Sequence, residues 1–221
     1  MALAAPFLVT GGASTLIAMQ DVRTAERGTR EMEIIRSAYR TMAKRGSHRM
    51  SLQDIADDAG VSKALVLYHF GTKDGLLLSA MKWAVERTAA RIRLGVDSGG
   101  TPEAQITALV DAIFIDPDAN RDFYLFYLDL IEHAGRVPSF GQLSVMLEEI
   151  INGLYKDVIA DGVDKGVFRV VDVDVAARNM RALIEGTFLQ WMQTTDWRAI
   201  HGAWKDQCRL ALIRLLGVEG A

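Results

Sequence analysis

The stretch from Ser51 to Phe70 constrains this chain more than any other. Ser51-Leu52-Gln53-Asp54-Ile55-Ala56-Asp57-Asp58-Ala59-Gly60-Val61-Ser62 sets two serines at helix N-cap positions, with a glycine between them. The Ser51 hydroxyl can accept from the backbone three residues on, and Asp54 can return the contact, which is close to a capping box. Leu52, Ile55, Ala56 and Ala59 recur at helical spacing and form one apolar face. Gly60 can leave the helix with a positive φ at no steric cost. Val61 can plug the gap, and Ser62 caps a second helix, Lys63 to Phe70, which small Ala56 lets approach closely. Helix, short glycine turn, helix is the helix-turn-helix arrangement.

That arrangement has a chemical use. A helix fits the major groove of B-DNA and meets base edges with its N-terminal residues. Ser62, Lys63, Ala64 and Leu65 open the second helix. Lys63 can donate to guanine or to a phosphate, and Ala64 and Leu65 can meet thymine methyls. Tyr68 and His69 lie one turn on and are expected to donate to phosphates, while Leu67 and Phe70 are expected to pack inward. Ser51 and its helix start can offer N–H groups to a phosphate. Thr72 caps the following helix, and Lys73 is placed to touch the DNA backbone.

The run from Ser51 to Leu76 resembles the N-terminal domain of the TetR family of repressors. It carries Ile55-Ala56, Ala59-Gly60-Val61-Ser62-Lys63, Leu67-Tyr68-His69-Phe70 and Lys73-Asp74-Gly75-Leu76, over about residues 30–92. Two positions depart from the family pattern. Ala64 stands where Gly or another small residue is common, and Leu67 stands where a Tyr often reaches a phosphate. The resemblance implies a ligand-responsive repressor that dimerises through its two C-terminal helices.

The charge distribution agrees with a DNA-facing N-terminal unit. The net charge is −3, yet residues 29–93 hold 12 Lys/Arg against 7 Asp/Glu, and residues 94–221 hold 11 against 19. Phosphates attract the first unit, and the acidic second unit stays off the duplex. The expected architecture is all-α: a three-helix helix-turn-helix domain over 29–75, then a larger helical effector-binding and dimerisation domain over 76–221. The first helix is expected from about Thr29 to Lys44.

Residues 1–20 carry no charged side chain. The expectation for 1–28 is a flexible arm. The alternatives are an arm packed on its own protein or a partner, or a translation start at Met19. The segment lacks the pattern of a secretory signal, and no stretch reaches the roughly 20 apolar residues of a membrane span. Cys208 is the single cysteine, so an intrachain disulfide is impossible and a cytoplasmic protein is expected. It reads as a packing residue.

Beyond the turn at Asp97 to Pro102 the pattern predicts five helices: one through Ile113, one from about Ala119 to His133, a long one from Ser139 to Ala160, then Val173 to Gln193 and Asp196 to Leu216. Phe123, Tyr124, Phe126, Tyr127, His133, Met146, Ile150, Phe188 and Trp191 fall on helices that would surround the centre of this unit. An aromatic stripe can be ordinary core or pocket lining. Given the inducer that the resemblance implies, Phe123, Tyr124, Tyr127, His133, Met146, Ile150, Phe188 and Trp191 are the candidate effector contacts. No phosphate-binding glycine loop, paired-cysteine metal motif or His-Glu-x-x-His occurs, so no enzyme, metal or cofactor is expected. His133 and His201 read as packing or surface groups.

Overall fold

A computed structural model describes residues 12–46, 49–98, 100–137 and 141–218, with the backbone alone over 12–27. Ten α-helices and a π turn follow one another, and no strand occurs among the described residues. They are α1 (Gly12–Arg45), α2 (Leu52–Ala59), α3 (Lys63–Phe70), α4 (Lys73–Asp97) and α5 (Pro102–Ile113). Then come α6 (Pro117–Ala134), α7 (Gly141–Leu147), α8 (Gly153–Asp164), α9 (Val173–Trp191) and α10 (Trp197–Leu215). No described helix is long and apolar enough to cross a membrane.

The local signals set most boundaries as expected. The Ser51 hydroxyl accepts from Asp54 N at 3.2 Å and the Asp54 carboxylate accepts from Ser51 N at 2.7 Å, so the capping box is complete. Gly60 is left-handed at φ 65, and Val61 N closes back on Ala56 O at 2.9 Å. Thr72, Thr101, Asp116 and Asp172 cap α4, α5, α6 and α9.

Three expectations need correction. The backbone is helical from Gly12, so the arm expected over 1–28 is helix in its later part, and residues 1–11 lie outside the described residues. Residues 13–27 hold no proline and many strong helix formers, among them Ala13, Leu16, Met19 and Ala25. The long helix expected from Ser139 is interrupted by a π turn over Glu148–Asn152, where Gly153 N reaches back five residues to Glu148 O. Asp196 precedes α10 without a side-chain cap.

One continuous core runs from Ile34, Ile55 and Val66 in the head to Cys208, Leu212 and Leu216 in the body. Helix α4 is the spine, packing on α1 and α3 of the head and on α5 and α6 of the body. Burial of its Leu76, Met81, Val85 and Ile92 makes both units share one apolar seam. Cys208 is fully buried, and burial pushes its thiol up to about 11, as suits a packing residue.

Candidate nucleic-acid interface and effector cavity

Helix α3 has one buried residue, Val66. Ser62, Lys63, Ala64, Leu67 and Tyr68 are exposed, and Leu65 is half-buried. Lys63, Ala64, Leu67 and Tyr68 fall at i, i+1, i+4 and i+5, a single face of the helix. Leu67 is 39% exposed and Tyr68 67%, so Leu67 turns outward with the others and not inward as expected. A helix that leaves this much apolar surface in water, beside a lysine, has a face suited to base edges and thymine methyls.

Two expected DNA contacts are placed otherwise. The His69 side chain is 3% exposed, turned onto Glu31 of α1 at 3.9 Å and flanked by the Tyr68 and Phe70 rings. It sits one step round the helix from the exposed face and braces α3 against α1. Lys73 donates from Nζ to Met50 O at 2.6 Å, tying the start of α4 to the segment that enters α2. The serines are engaged as caps: Ser62 Oγ accepts from Leu65 N, and Ser51 Oγ also donates to Asp54 at 2.6 Å. The Ser62 hydroxyl proton stays available to a phosphate, whereas Ser51 offers chiefly the N–H groups of its helix start.

The acidic side chains of α2 would repel DNA if left bare. Asp54 pairs with Arg45 at 3.2 Å and Asp58 with Arg40 at 2.7 Å, both arginines coming from α1. Asp58 also accepts from buried Ser37 at 2.8 Å. The Ser37 hydrogen bond first, then Arg40, holds the Asp58 carboxyl below the ordinary carboxylate range.

A cavity of about 560 Å³ opens between the head and the body. Helix α1 contributes Arg36, Tyr39 and Arg40, and α4 contributes Trp83, Ala84, Val85, Arg87, Thr88 and Arg91. The far walls are Ile113, Ile115, Asn120, Phe123, Tyr124 and Tyr127, then Leu147, Ile151, Tyr155, Arg181, Ile184 and Glu185. Of the expected effector contacts, Phe123, Tyr124 and Tyr127 line it.

The other five stand elsewhere. Phe188 is fully buried behind Tyr124, stacked at 4.2 Å on that ring and at 4.2 Å on Phe114. Trp191 is fully buried and donates from its indole to Trp197 O at 2.7 Å. His133 lies at the end of α6 against Asp74 at 3.5 Å and does not line the cavity. Met146 and Ile150 pack on the core, and their neighbours Leu147 and Ile151 face the cavity instead. Leu147 and Ile151 are one turn apart, as are Met146 and Ile150, and only the packing of this segment against its neighbours decides which pair meets the cavity.

The cavity residues that went unnoticed are polar. Arg91 is half-buried and donates to Ala112 O at 3.2 Å and to Thr88 Oγ1 at 3.0 Å. Arg87 lies over the Trp83 ring at 5.0 Å. Arg181 binds Glu185 at 2.7 Å, and Glu185 accepts from the Tyr127 hydroxyl at 2.8 Å. Burial, then the charge of Asp122, raises the Tyr39 phenol to about 12. Burial raises Tyr124 and Tyr155 as well, so these phenols are neutral hydrogen-bond donors. An aromatic set at i, i+1, i+4 of α6 was visible in the sequence, but arginines scattered over α1, α4 and α9 carried no such signal.

Comparison with known proteins places both regions. Residues 34–80 match the family model described as bacterial regulatory proteins, tetR family. Residues 102–215 match the model for the C-terminal part of BetI-type transcriptional repressors. The chain is 29% identical over 163 residues to the HTH-type transcriptional repressor KstR2 of Rhodococcus jostii, spanning 72% of this chain and 78% of that one. It is 30% identical over 105 residues to the HTH-type transcriptional regulator BetI of Brucella abortus, spanning 48% of this chain and 53% of that relative. A TetR transcription regulator from Haloarcula marismortui superposes with TM-score 0.71 at 27% identity, over 86% of this chain and 97% of that one. A transcriptional regulator from Saccharomonospora viridis, solved in complex with choline, superposes with TM-score 0.68 at 26% identity, over 82% and 92%.

Proposed function

Given that the chain belongs to the TetR family and is a DNA-binding transcriptional regulator and not an enzyme, we propose that it is a cytoplasmic repressor released from a near-palindromic operator by a small effector with an apolar or aromatic body. The observation that carries this reading is the make-up of the cavity wall. Helices α1 and α4, which hold the reading helix in place, supply nine of the residues around the cavity. A ligand there touches the head directly. Arg40 both lines the cavity and pairs with Asp58 of α2, so one side chain joins the two sites. A ligand that binds one head position better than the other shifts the DNA-binding equilibrium by that difference.

Reading of DNA is assigned to Ser62, Lys63, Ala64, Leu65, Leu67 and Tyr68, with the N–H groups at the start of α2 on a phosphate. Paired half-sites ask for a dimer. Helices α9 and α10 leave Val175, Ala182, Leu189, Ala203 and Leu210 exposed, an apolar surface suited to a four-helix contact between two copies. A Leu189→Glu, Leu210→Glu variant is expected to sediment as a monomer.

The test is selection of bound sequences from a random double-stranded DNA pool with the full-length protein. Enrichment of an inverted repeat supports the dimeric operator reader. No enrichment at low salt, by protein stripped of bound ligand by unfolding and refolding, counts against it.

A further inference from the structure

We infer that the effector is an anion, a molecule with an aromatic or aliphatic body and a carboxylate that meets Arg91; this rests on the effector reading above. The cavity is rich in cations and poor in carboxylates. Its arginines are Arg36, Arg40, Arg87, Arg91 and Arg181, against a single carboxylate, Glu185. Glu185 is already engaged by Arg181 and Tyr127, and Arg40 by Asp58. Arg87 and Arg91 have no carboxylate within ion-pair reach among the described residues.

Arg91 matters most because it is half-buried. It uses Nε and one N–H of Nη2, both on neutral acceptors, and a guanidinium has five N–H donors. Burial and the neighbouring charge of Arg87 both act against its positive charge. A carboxylate arriving beside it relieves both.

The neutral polar groups can serve the same ligand. Tyr39, Tyr124 and Tyr155 line the cavity, and their hydroxyls have no hydrogen-bond partner among the described residues. Asn120 is committed at both ends, donating to Ile113 O at 2.8 Å and accepting from His201 at 2.9 Å. Thr88 accepts from Arg91 and donates to Ala84 O. The phenol oxygens and the second Glu185 oxygen can still accept, but the unused charged groups are arginine N–H donors, and a ligand carboxylate matches them.

A quaternary ammonium such as the choline of the Saccharomonospora viridis structure is the natural rival, since aromatic rings also hold cations. Here the spare cations of the cavity repel it.

The test is calorimetric binding to the full-length protein of three probes on one skeleton, together with choline. The probes are phenylhexanoate, its primary amide and phenylpentyltrimethylammonium. Release of operator DNA is followed in parallel by fluorescence anisotropy. The carboxylate is expected to bind about tenfold or more tightly than the amide, the scale of one charge-assisted hydrogen bond. Arg91→Gln is expected to erase that preference and leave the amide unchanged, while Arg91→Lys keeps part of it. Amide, ammonium or choline binding as tightly as the carboxylate overturns the inference, as does a preference that survives Arg91→Gln or a panel in which nothing binds. The wild-type ranking decides even if the Arg91 variants fold poorly. A carboxylate that binds as expected without releasing DNA upholds the anion site and removes the effector role.

Discussion

Helices α3 and α6 are both rich in aromatic and aliphatic side chains, yet they end on opposite sides of the protein surface. α3 buries Val66 and leaves Lys63, Ala64, Leu67 and Tyr68 in water. α6 buries Tyr124, Phe126, Tyr127 and Leu130, and its Phe123, Tyr124 and Tyr127 border a cavity. Apolar content alone therefore says little about where a helix goes. A helix whose apolar face stays uncovered has its partner outside the chain, and one whose face closes over an empty volume has its partner inside.

The largest expected effect on the contrast between the two regions comes from Phe188→Ala. Removing the ring that stacks between Tyr124 and Phe114 is expected to cost about 3–5 kcal/mol. Urea denaturation measures it, and DNA affinity per folded molecule should hold. An unchanged denaturation midpoint would mean that the stack is not part of the core.

Lys63→Ala works from the other side. It should weaken operator binding by about 1–3 kcal/mol if Lys63 reads a guanine, while the denaturation curve stays put. Were Lys63 only on a phosphate, binding would fall evenly across sequences and the salt slope would drop by about one. An unaffected operator affinity would remove α3 as the reading helix.

Ser62→Ala is subtler, costing about 1 kcal/mol of stability through the lost cap on α3, with Ser62→Gly costing only a few tenths.

The smallest effects are those of pH, and they separate the regions by window. Burial depresses the His201 pKa from its ordinary value of about 6.5. Below that pH the unfolded chain takes a proton that the folded chain resists, so this histidine lowers stability as the pH falls through the weakly acid range. In the head, Asp58 is held below its ordinary value of about 3.9, so its contribution persists above that pH and is lost only further into acid. His201→Gln and Asp58→Asn should each flatten one window of the stability profile and not the other. A profile that His201→Gln leaves unchanged near pH 6 would rule out the buried neutral histidine.

The head was legible because its determinants are local. Ser51, Asp54, Gly60 and Ser62 act on backbone groups within four residues, so caps and turn could be read along the chain. What local signals do not carry there, the direction of Leu67 and His69 and the partner of Lys73, depends on how α3 leans on α1 and α4.

The cavity was legible only at Phe123, Tyr124 and Tyr127. Trp191 and Phe188 are as aromatic as these, yet they fill the wall behind them. Arg91 on α4 and Arg181 on α9 are separated along the chain, and ordinary amphipathic patterning accounts for each.

By itself, then, the amino-acid order determined an all-helical chain with a capped helix-turn-helix and a basic head on an acidic body, because caps, glycine turns and charge act locally or simply sum. Tertiary structure decided the rest. Packing chose which apolar face stays wet and turned Leu147 and Ile151, not Met146 and Ile150, to the cavity, and five separate segments were brought round one volume with more arginines than carboxylates. Those outcomes rest on long-range contacts, and no window along the chain contains them.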